Sequence, residues 1–332
     1  MTIDQIPVWL DCDPGTDDAF AILLSLLHPK FNLLGISTVY GNTDIDNTTH
    51  NALALSDLLN KPVPVYRGVN HPLAKPPRYA AYCHGVSGMG DVELPKNPRF
   101  KEATDKPYHE AIRDAILAYE NEICLVVVGA YTNIHILFSK YPELKSKIKL
   151  MSMMGGAFDF GNITPHAEFN VFADPKAANE LITDPELMNK IIINGLNFTH
   201  SAVATKKIRD SLFSKGTPIR KTFEDILNYY NKHHSEKYKD SEGPPIHDPL
   251  AVFTVLPFSS NPEDYGVEYV RRRVKVIESG EMEGATVFVN GSKLTDPGNE
   301  EEGCMVPYKI NNELFYSYIG EALDIADNLS LA

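Results

Sequence analysis

Four carboxylates lie within eight residues near the start of the chain. Asp11 and Asp13 end an apolar run, and Asp17 and Asp18 follow a Pro-Gly turn. Strand alternation places the first pair on one side, and the turn leads into a helix whose first residues carry the second pair. Charges packed this closely repel one another unless a cation lies among them. Helix-dipole and turn roles explain only part of the cluster, so a hard, oxygen-binding metal ion is expected.

A second chemical group lies at His247 and Asp248, in a segment with prolines on both sides. Asp248 offers a carboxylate to a metal, and His247 offers a proton donor. The same pattern is equally consistent with Asp248 as a helix N-cap beside a histidine whose hydrogen bonds are satisfied in the core. The residues alone leave both interpretations open.

Two glycine-rich stretches between these groups carry further polar side chains. Asn162, Glu168 and Asn170 lie within residues 153–170, and His84 lies within residues 83–88. Such turns can present polar groups to a hydroxyl-rich ligand, although many glycine-rich turns bind nothing. The motifs GxSxG, GxxxxGK[ST] and HExxH are absent from the sequence, so serine hydrolase, P-loop and zincin mechanisms lack their signatures.

The elements that must position these residues alternate between strands and helices. The predicted strands span residues 8–13, 33–39, 63–66, 123–128, 148–154 and 191–194. The predicted helices span residues 17–27, 47–59, 108–119, 132–141 and 175–183. This alternation predicts an α/β fold with an open, mostly parallel, Rossmann-like sheet and helices on both faces. Ligands of such sheets bind beyond the carboxyl ends of the strands, where the first acidic cluster stands.

The C-terminal part of the chain adds helical and short β decorations to this sheet. We expect there a helix over residues 208–238, a strand over 267–277, a hairpin within 280–307 and a closing helix over 313–328. Long interruptions at residues 67–104 and 155–174 are typical of functional loops. No repeat or linker divides the sequence, which predicts a single domain over residues 1–332.

Composition narrows the possible partners. The 332 residues include 31 Lys and Arg against 44 Asp and Glu, for a formal net charge of −13. This balance argues against nucleic acid and anionic membranes, and the one tight basic run, residues 271–273, is expected at a solvated strand edge or a partner contact. Four dispersed cysteines, an N-terminus unlike a signal peptide and short apolar runs predict a cytoplasmic protein without a membrane segment, with the nucleus as a second location.

Six motifs occur in the order typical of one enzyme family. They are DCDPGTDDA at residues 11–19, YGN at 40–42, HGVSG at 84–88, GAYTN at 129–133, MGG through AEFN at 154–170 and PPIHDP at 244–249. They resemble the calcium-dependent inosine/uridine-preferring nucleoside hydrolases, and residues 6–42 are similar to fungal members assigned to uridine. The resemblance implies hydrolysis of a ribonucleoside to free base and ribose, by a homodimer or homotetramer.

The resemblance also implies a calcium site and a general base. The Ca²⁺ would be held by Asp13, Asp18, Asp248 and the backbone carbonyl of Thr132, with the 2′- and 3′-hydroxyls of the substrate and a water completing its ligands. Asp13 would also take a proton from that water, positioned with help from Asn42.

Further residues match the family's substrate contacts. The implied contacts are Asp17 and Asn170 at the 2′- and 3′-hydroxyls, Asn162 and Glu168 at the 5′-hydroxyl, Met154 beside the ribose, and His247 and His84 on the base side. His247 would assist protonation of the leaving base, and Asp11 would have a supporting role. Residues 228–242 depart from the family pattern, so Tyr229 and Tyr238 are both possible aromatic contacts to the base, and the base preference stays open.

Two other functions are compatible with parts of the sequence. The first motif also resembles that of haloacid-dehalogenase-like phosphotransferases, with Asp11 as nucleophile and magnesium as the metal, although Thr16 stands one place too late for it. A non-catalytic nucleoside- or calcium-binding protein would use the same pocket without turnover. Neither accounts for PPIHDP and AEFN together with the first motif, so the hydrolase is the favoured hypothesis.

Overall fold

A mostly parallel, eight-stranded sheet forms the centre of the structure, which is a computed structural model describing residues 5–90, 92–237, 242–296 and 298–330. The strands are β1 (Ile6–Cys12), β2 (Phe31–Thr38), β3 (Val65–Arg67), β4 (Cys124–Val127), β5 (Leu150–Met154), β6 (Ile191–Asn194), β7 (Glu268–Arg272), β8 (Val274–Val276), β9 (Thr286–Phe288) and β10 (Cys304–Lys309). The sheet order is β3-β2-β1-β4-β5-β6-β10-β7, with only β7 antiparallel to its neighbour, while β8 and β9 form a separate antiparallel pair.

Helices connect the parallel strands and extend the C-terminal part of the chain. They are α1 (Asp18–Leu27), α2 (Ile45–Leu58), α3 (Ala81–His84), α4 (Tyr108–Ala118), α5 (Thr132–Lys140), α6 (Phe169–Ala173), α7 (Pro175–Ile182), α8 (Leu196–Thr199), α9 (Lys206–Phe213), α10 (Pro218–Lys237), α11 (Asp248–Ser259) and α12 (Asn312–Ser330). None of the described helices is both long enough and apolar enough to cross a membrane.

Helices on both faces of the sheet explain why its central strands read as continuous apolar runs. All residues of β4, β5 and β6 are buried. One apolar cluster packs α1, α11 and α12 against the sheet, and a second packs α4, α5 and α7 against the other face. Strands covered on both faces cannot alternate between apolar and polar residues as half-exposed strands do. The predicted α/β fold class is therefore confirmed.

The parallel arrangement brings the motif-bearing loops to one edge. The carboxyl ends of β1, β2, β4 and β5 lie side by side because these strands are neighbours in the sheet and run in one direction. Each end leads through a short turn or a loop to α1, α2, α5 or α6. This edge is the usual ligand-binding side of an open α/β sheet.

Three C-terminal predictions need correction. The hairpin expected within residues 280–307 does not form, because β9 pairs with β8 and β10 pairs with β6 and β7. The single helix expected over residues 208–238 is two helices, α9 and α10, because Gly216 adopts a φ of 59° and Pro218 starts a new helix. The strand expected over residues 267–277 is also divided, since β7 belongs to the main sheet and β8 to the small pair. The expected loops at 67–104 and 155–174 contain the short helices α3 and α6.

The basic run lies at the end of the sheet, as its predicted strand-edge position requires. Arg271 and Arg272 end β7, which is the last strand of the main sheet. Arg272 is buried rather than solvated, and its guanidinium donates hydrogen bonds to the backbone carbonyls of Asp296 and Gly298. This arginine therefore stabilises the turn that precedes β10.

Candidate active site

The carboxylate of Asp18 fixes the turn between β1 and α1. Its Oδ2 accepts hydrogen bonds from the backbone N–H of Gly15 at 2.8 Å and from the Asn42 side chain at 2.9 Å. Its Oδ1 accepts from the backbone N–H of Asp13 at 3.3 Å. The side chain of Asp18, the first residue of α1, thus bonds to the turn that precedes it and links this turn to the loop that follows β2.

Asp13 has two carboxylate oxygens with different surroundings. Its Oδ2 accepts a hydrogen bond from the backbone N–H of Asn42 at 2.7 Å. Its Oδ1 is buried and has no hydrogen-bond partner among the described residues. A Cβ on Gly41 would lie 2.9 Å from the Asp13 Cγ, and one on Gly129 would lie 2.7 Å from Oδ1. The glycines of the YGN and GAYTN motifs therefore leave the space that this carboxylate occupies.

Three further carboxylates meet beside Asp13. One oxygen from each of Asp17, Asp18 and Asp248 lies within 4.8 Å of the others, and all three residues are buried. The predicted metal ligands Asp18 and Asp248 belong to this group, and the third member is Asp17, which the family resemblance assigns to the ribose. PPIHDP thus reaches the first motif, because α11 begins at Asp248 beside the start of α1.

The electrostatics of this group favour a bound cation. Burial, followed by the charge of Asp17, raises the pKa of Asp18 to about 7. Burial and then the charge of Asp18 hold the pKa of Asp13 well above its ordinary range, and burial with the charges of Asp17 and Asp18 does the same for Asp248. A divalent cation would replace the protons that such a group otherwise holds. The converging carboxylate oxygens of Asp17, Asp18 and Asp248 fit a hard ion of the calcium type.

Thr132 lies at the same edge, at the first position of α5. Its Oγ1 donates a hydrogen bond to Asp174 Oδ2 at 2.7 Å and lies 3.2 Å from the hydroxyl of Tyr40. These contacts hold the residue whose backbone carbonyl is the fourth predicted ligand. The role of that carbonyl stays a prediction.

A cleft opens beside the carboxylates. Most of the side chains predicted to contact the substrate line it. Its lining residues are Asp17, Asn42, Ala80, Tyr82, Cys83, His84, Val128, Met154, Asn162, Glu168, Phe169, Asn170, Tyr230, His247 and Asp248. Polar groups therefore converge on one concave space, as they do in small-molecule sites.

Glu168 and Asn170 are oriented by the backbone around α6. Glu168 caps this helix, accepting from the N–H of Asn170 at 2.8 Å and of Val171 at 3.0 Å, and it also accepts from Gly156 at 3.0 Å. The Asn170 amide nitrogen donates to the carbonyls of Val128 at 2.8 Å and Met154 at 3.2 Å. The Asn170 side-chain oxygen is therefore the atom that can accept a hydrogen bond from a ligand hydroxyl.

Two histidines face the cleft from opposite loops and contact one tyrosine. His247 bonds through Nε2 to the hydroxyl of Tyr230 at 2.9 Å and through Nδ1 to Thr199 at 2.7 Å. The ring of His84 stacks on Tyr230 with centroids 6.0 Å apart. The backbone N–H of Thr16 donates to His84 Nδ1 at 3.2 Å, so the neutral ring carries its proton on Nε2.

Burial keeps both imidazoles uncharged. It lowers the pKa of His84, although the charge of Asp17 opposes this effect. It lowers the pKa of His247 much further, with added contributions from the neighbouring His200 and His234. At neutral pH both side chains therefore act through hydrogen bonds of the neutral ring.

The aromatic contacts differ from the sequence-based expectation. Tyr229 packs on the loop of the HGVSG motif, where a Cβ on Gly90 would lie 2.6 Å from its Cδ1. The cleft is lined by Tyr230 instead. Tyr230 is buried, and its hydroxyl forms a hydrogen bond with His247. Tyr238 lies outside the described residues. The sequence alone does not show which of two adjacent tyrosines faces the cleft. The rotation of α10 about its own axis decides this.

Asp11 does not have the position of a nucleophile. It is fully buried and accepts hydrogen bonds from Ser37 and, at 2.8 Å, from Asn133. Burial, opposed by the two hydrogen bonds, raises its pKa to about 7. Asp11 lies within β1, whereas Asp13 follows the end of this strand, so the phosphatase hypothesis would place its nucleophile inside the sheet rather than at its carboxyl edge.

An open α/β sheet with carboxylates, amides and histidines at its carboxyl edge defines a ligand-binding enzyme of the α/β class. A sequence model of the inosine-uridine preferring nucleoside hydrolases matches residues 8–317. The chain belongs to this family and is a hydrolase of the N-glycosidic bond of ribonucleosides.

Relatives cover nearly the whole chain. The uridine nucleosidase of Saccharomyces cerevisiae is 39% identical over 99% of both chains. The pyrimidine-specific ribonucleoside hydrolase RihB of Escherichia coli is 33% identical over 97% of this chain and 98% of its own. Among solved structures, the purine-preferring ribonucleoside hydrolase from Gardnerella vaginalis superposes with a TM-score of 0.84 at 30% identity, covering 98% of this chain and all of its own.

Proposed function

We propose that this hydrolase prefers pyrimidine ribonucleosides, with uridine favoured, and that it uses a bound Ca²⁺ with Asp13 as the general base. The observation that carries the mechanism is the unpartnered Oδ1 of Asp13, buried beside three carboxylates at the cleft. The base preference is supported by the names of two relatives, a uridine nucleosidase and a pyrimidine-specific hydrolase. Inosine and other ribonucleosides are the alternative substrates.

The residues that would hold the ion are Asp13, Asp18, Asp248 and the carbonyl of Thr132. When bound, the calcium would supply positive charge that anchors the ribose diol and lowers the pKa of a water molecule. The remaining carboxylate of the group, Asp17, faces the cleft and would accept a hydrogen bond from a ribose hydroxyl.

Asp13 is suited to accept a proton from the attacking water. Its Oδ2 is engaged by the backbone N–H of Asn42, which leaves Oδ1 for the proton. With the cation bound, this carboxylate would be ionised and could take that proton. Water must add to the anomeric carbon on the face opposite the departing base, because cleavage passes through a ribosyl cation of oxocarbenium type.

The other side of the cleft would hold the sugar. Asn170 would offer its side-chain oxygen to the diol, and Asn162 and Glu168, which line the same cleft, would bind the 5′-hydroxyl. Met154 contributes apolar contact beside the ribose. These fixed groups hold the sugar in one orientation, which reduces the entropy lost on reaching the transition state.

Tyr230 and His247 would assist departure of the base. Their hydrogen bond of 2.9 Å, with Thr199 holding the far ring nitrogen, forms a chain that can deliver a proton or a hydrogen bond to the leaving group. His84 adds a second donor through Nε2–H. Relieving negative charge on the base lowers the barrier to bond cleavage.

We also propose, from the family resemblance, that the chain assembles as a homodimer or homotetramer in the cytoplasm. Light scattering of the purified protein measures the first property directly. Fractionation of cells that express the tagged chain measures the second.

A substrate panel tests the proposal. The kcat/KM values for uridine, cytidine, inosine and adenosine would be measured with Ca²⁺, with Mg²⁺ and with a chelator. We expect uridine to rank first, and activity to disappear with the chelator and return with Ca²⁺. A higher value for inosine would contradict the base preference, and full activity with the chelator would contradict the role of the metal.

A further inference from the structure

The side chain of Asn133 connects four segments behind the cleft. Its amide nitrogen donates to Asp11 Oδ2 at 2.8 Å and to the carbonyl of Thr38 at 3.0 Å. Its oxygen accepts from the backbone N–H of Val69 at 3.0 Å. The residue is fully buried, and a Cβ on Gly68 would overlap its amide. Both N–H groups and the oxygen are therefore used in a space shaped around them.

Each of the joined segments carries a residue of the site. Asp11 lies two residues before Asp13, and Thr38 lies at the end of β2, four residues before Asn42. Val69 begins the long loop that carries His84, and Asn133 itself follows Thr132. One amide thus fixes the relative positions of three strand ends and the loop on the base side.

We propose that Asn133 is a positioning residue that sets the distance between the metal-binding groups of Asp13 and Thr132. It touches neither substrate nor reacting atoms, and this assignment rests on the proposed function above. Groups that orient metal ligands from behind affect metal affinity because a misplaced ligand must be moved at a cost when the ion binds. The role of Asn133 is therefore to hold the groups of Asp13 and Thr132 at their metal-binding distance before the ion binds.

A matched asparagine separates this role from general support of the fold. Asn194 is also fully buried, and its amide nitrogen donates to Ser152 at 2.9 Å and to the carbonyl of Met153 at 3.1 Å. Its oxygen accepts from Thr254 at 3.1 Å. It therefore loses the same number of hydrogen bonds on truncation, but none of its partners lies next to a predicted metal ligand.

Calorimetric titration of Ca²⁺ into the metal-free full chain tests the proposal without an activity assay. N133A and N194A should lower the melting temperature of the metal-free protein to a similar extent, since each leaves buried groups unpaired. N133A should weaken calcium binding about 10- to 100-fold, whereas N194A should change it by roughly a factor of two or less. N133S, which keeps a hydroxyl donor, should lie between wild type and N133A.

Wild-type affinity for Ca²⁺ in N133A, or equal weakening in N133A and N194A, would overturn the proposal. Failure of both Asn133 variants to fold while N194A folds would also overturn it, because Asn133 would then serve the fold itself. If the wild-type chain binds no Ca²⁺, the metal part of the proposed function fails, and that result is visible before any variant is compared.

Discussion

In several residues of this site, one side-chain atom is held by a protein partner, and this leaves another atom of the same side chain to face the ligand. Asp13 presents Oδ1 because Oδ2 is held by Asn42, and His84 presents Nε2–H because Nδ1 is held by Thr16. His247 has both ring nitrogens in hydrogen bonds, one of them with the cleft-lining Tyr230. The direction of each functional group therefore follows from the partner on its far side.

The first prediction concerns the tyrosine that the sequence did not single out. Tyr230→Phe removes the hydroxyl that bonds His247 and should lower kcat for uridine roughly 10- to 100-fold, since a hydrogen bond to a group that develops charge is lost. KM should change little, because the ribose contacts are intact. Steady-state kinetics on the folded variant give both values.

Tyr229→Phe is the matched control for this measurement. Tyr229 is the adjacent residue of the same helix, and its ring packs on Gly90 rather than into the cleft. We expect nearly wild-type kcat for this variant. A larger loss in Tyr229→Phe than in Tyr230→Phe would show that the base side is assigned to the wrong tyrosine.

At the scale of elements, short loops are held by packing as well as by hydrogen bonds. The loop of the HGVSG motif is tied to the first motif by Asn51, whose amide nitrogen donates to the carbonyls of Pro14 at 3.0 Å and Ser87 at 2.7 Å. Tyr229 on α10 packs against the same loop at Gly90. The position of His84 thus depends on α2 and α10 together.

A glycine pair tests this dependence. Gly90 has a φ of 63° and Gly216 a φ of 59°, but an added Cβ would meet Tyr229 only at Gly90 and open space at Gly216. Both alanine variants should lose about 1 to 2 kcal/mol of stability from the left-handed conformation alone. Gly90→Ala should in addition lower kcat/KM by displacing the loop.

Chemical denaturation and kinetics on the two glycine variants provide the comparison. If Gly90→Ala keeps the kcat/KM of Gly216→Ala, then packing on Tyr229 does not position the loop for catalysis.

At the scale of the whole molecule, the sheet concentrates negative charge at one edge. Asp13, Asp17, Asp18 and Asp248 come from two distant parts of the chain and are buried together. The formal net charge of −13 does not reveal this arrangement, because most acidic residues are elsewhere. Without a cation, the pKa values of Asp13, Asp18 and Asp248 are raised.

This charge makes calcium stabilisation depend on pH. In the metal-free protein the pKa of Asp18 is raised from 3.8 to about 7, so the folded state keeps a proton that the unfolded state releases above pH 3.8. The stability that this group contributes is full below pH 3.8 and is lost as the pH rises through about 7. Calcium replaces the proton, so the rise in melting temperature at a fixed Ca²⁺ concentration should grow from pH 5 to pH 8.

Differential scanning calorimetry with Ca²⁺ and with a chelator at each pH measures this increment. Subtracting the two curves removes the contribution of buried histidines, which titrate in both. If the calcium-induced rise in melting temperature is constant over this pH range, then binding of the ion does not displace protons from Asp18 and its neighbours.

The sequence alone is sufficient to predict those features of the molecule that depend on local residue patterns. Alternating apolar and amphipathic runs predict the parallel sheet, and the motifs name most residues that line the cleft. The choice between Tyr229 and Tyr230 depends on the rotation of α10 against the sheet, and adjacent helical residues point about 100° apart. The bonds of Asn133 likewise join segments far apart in the chain, so tertiary structure alone reveals them.

The most direct test of the account is product analysis of uridine by NMR in phosphate-free buffer with Ca²⁺. Wild type should release ribose and uracil in equal amounts. Asp13→Asn should be slower by about 10²- to 10⁴-fold. Asp327→Asn, which alters a buried carboxylate paired with Arg220 away from the cleft, should keep wild-type turnover. Intact uridine and other ribonucleosides after incubation with wild type, or unchanged turnover in Asp13→Asn, would contradict the account.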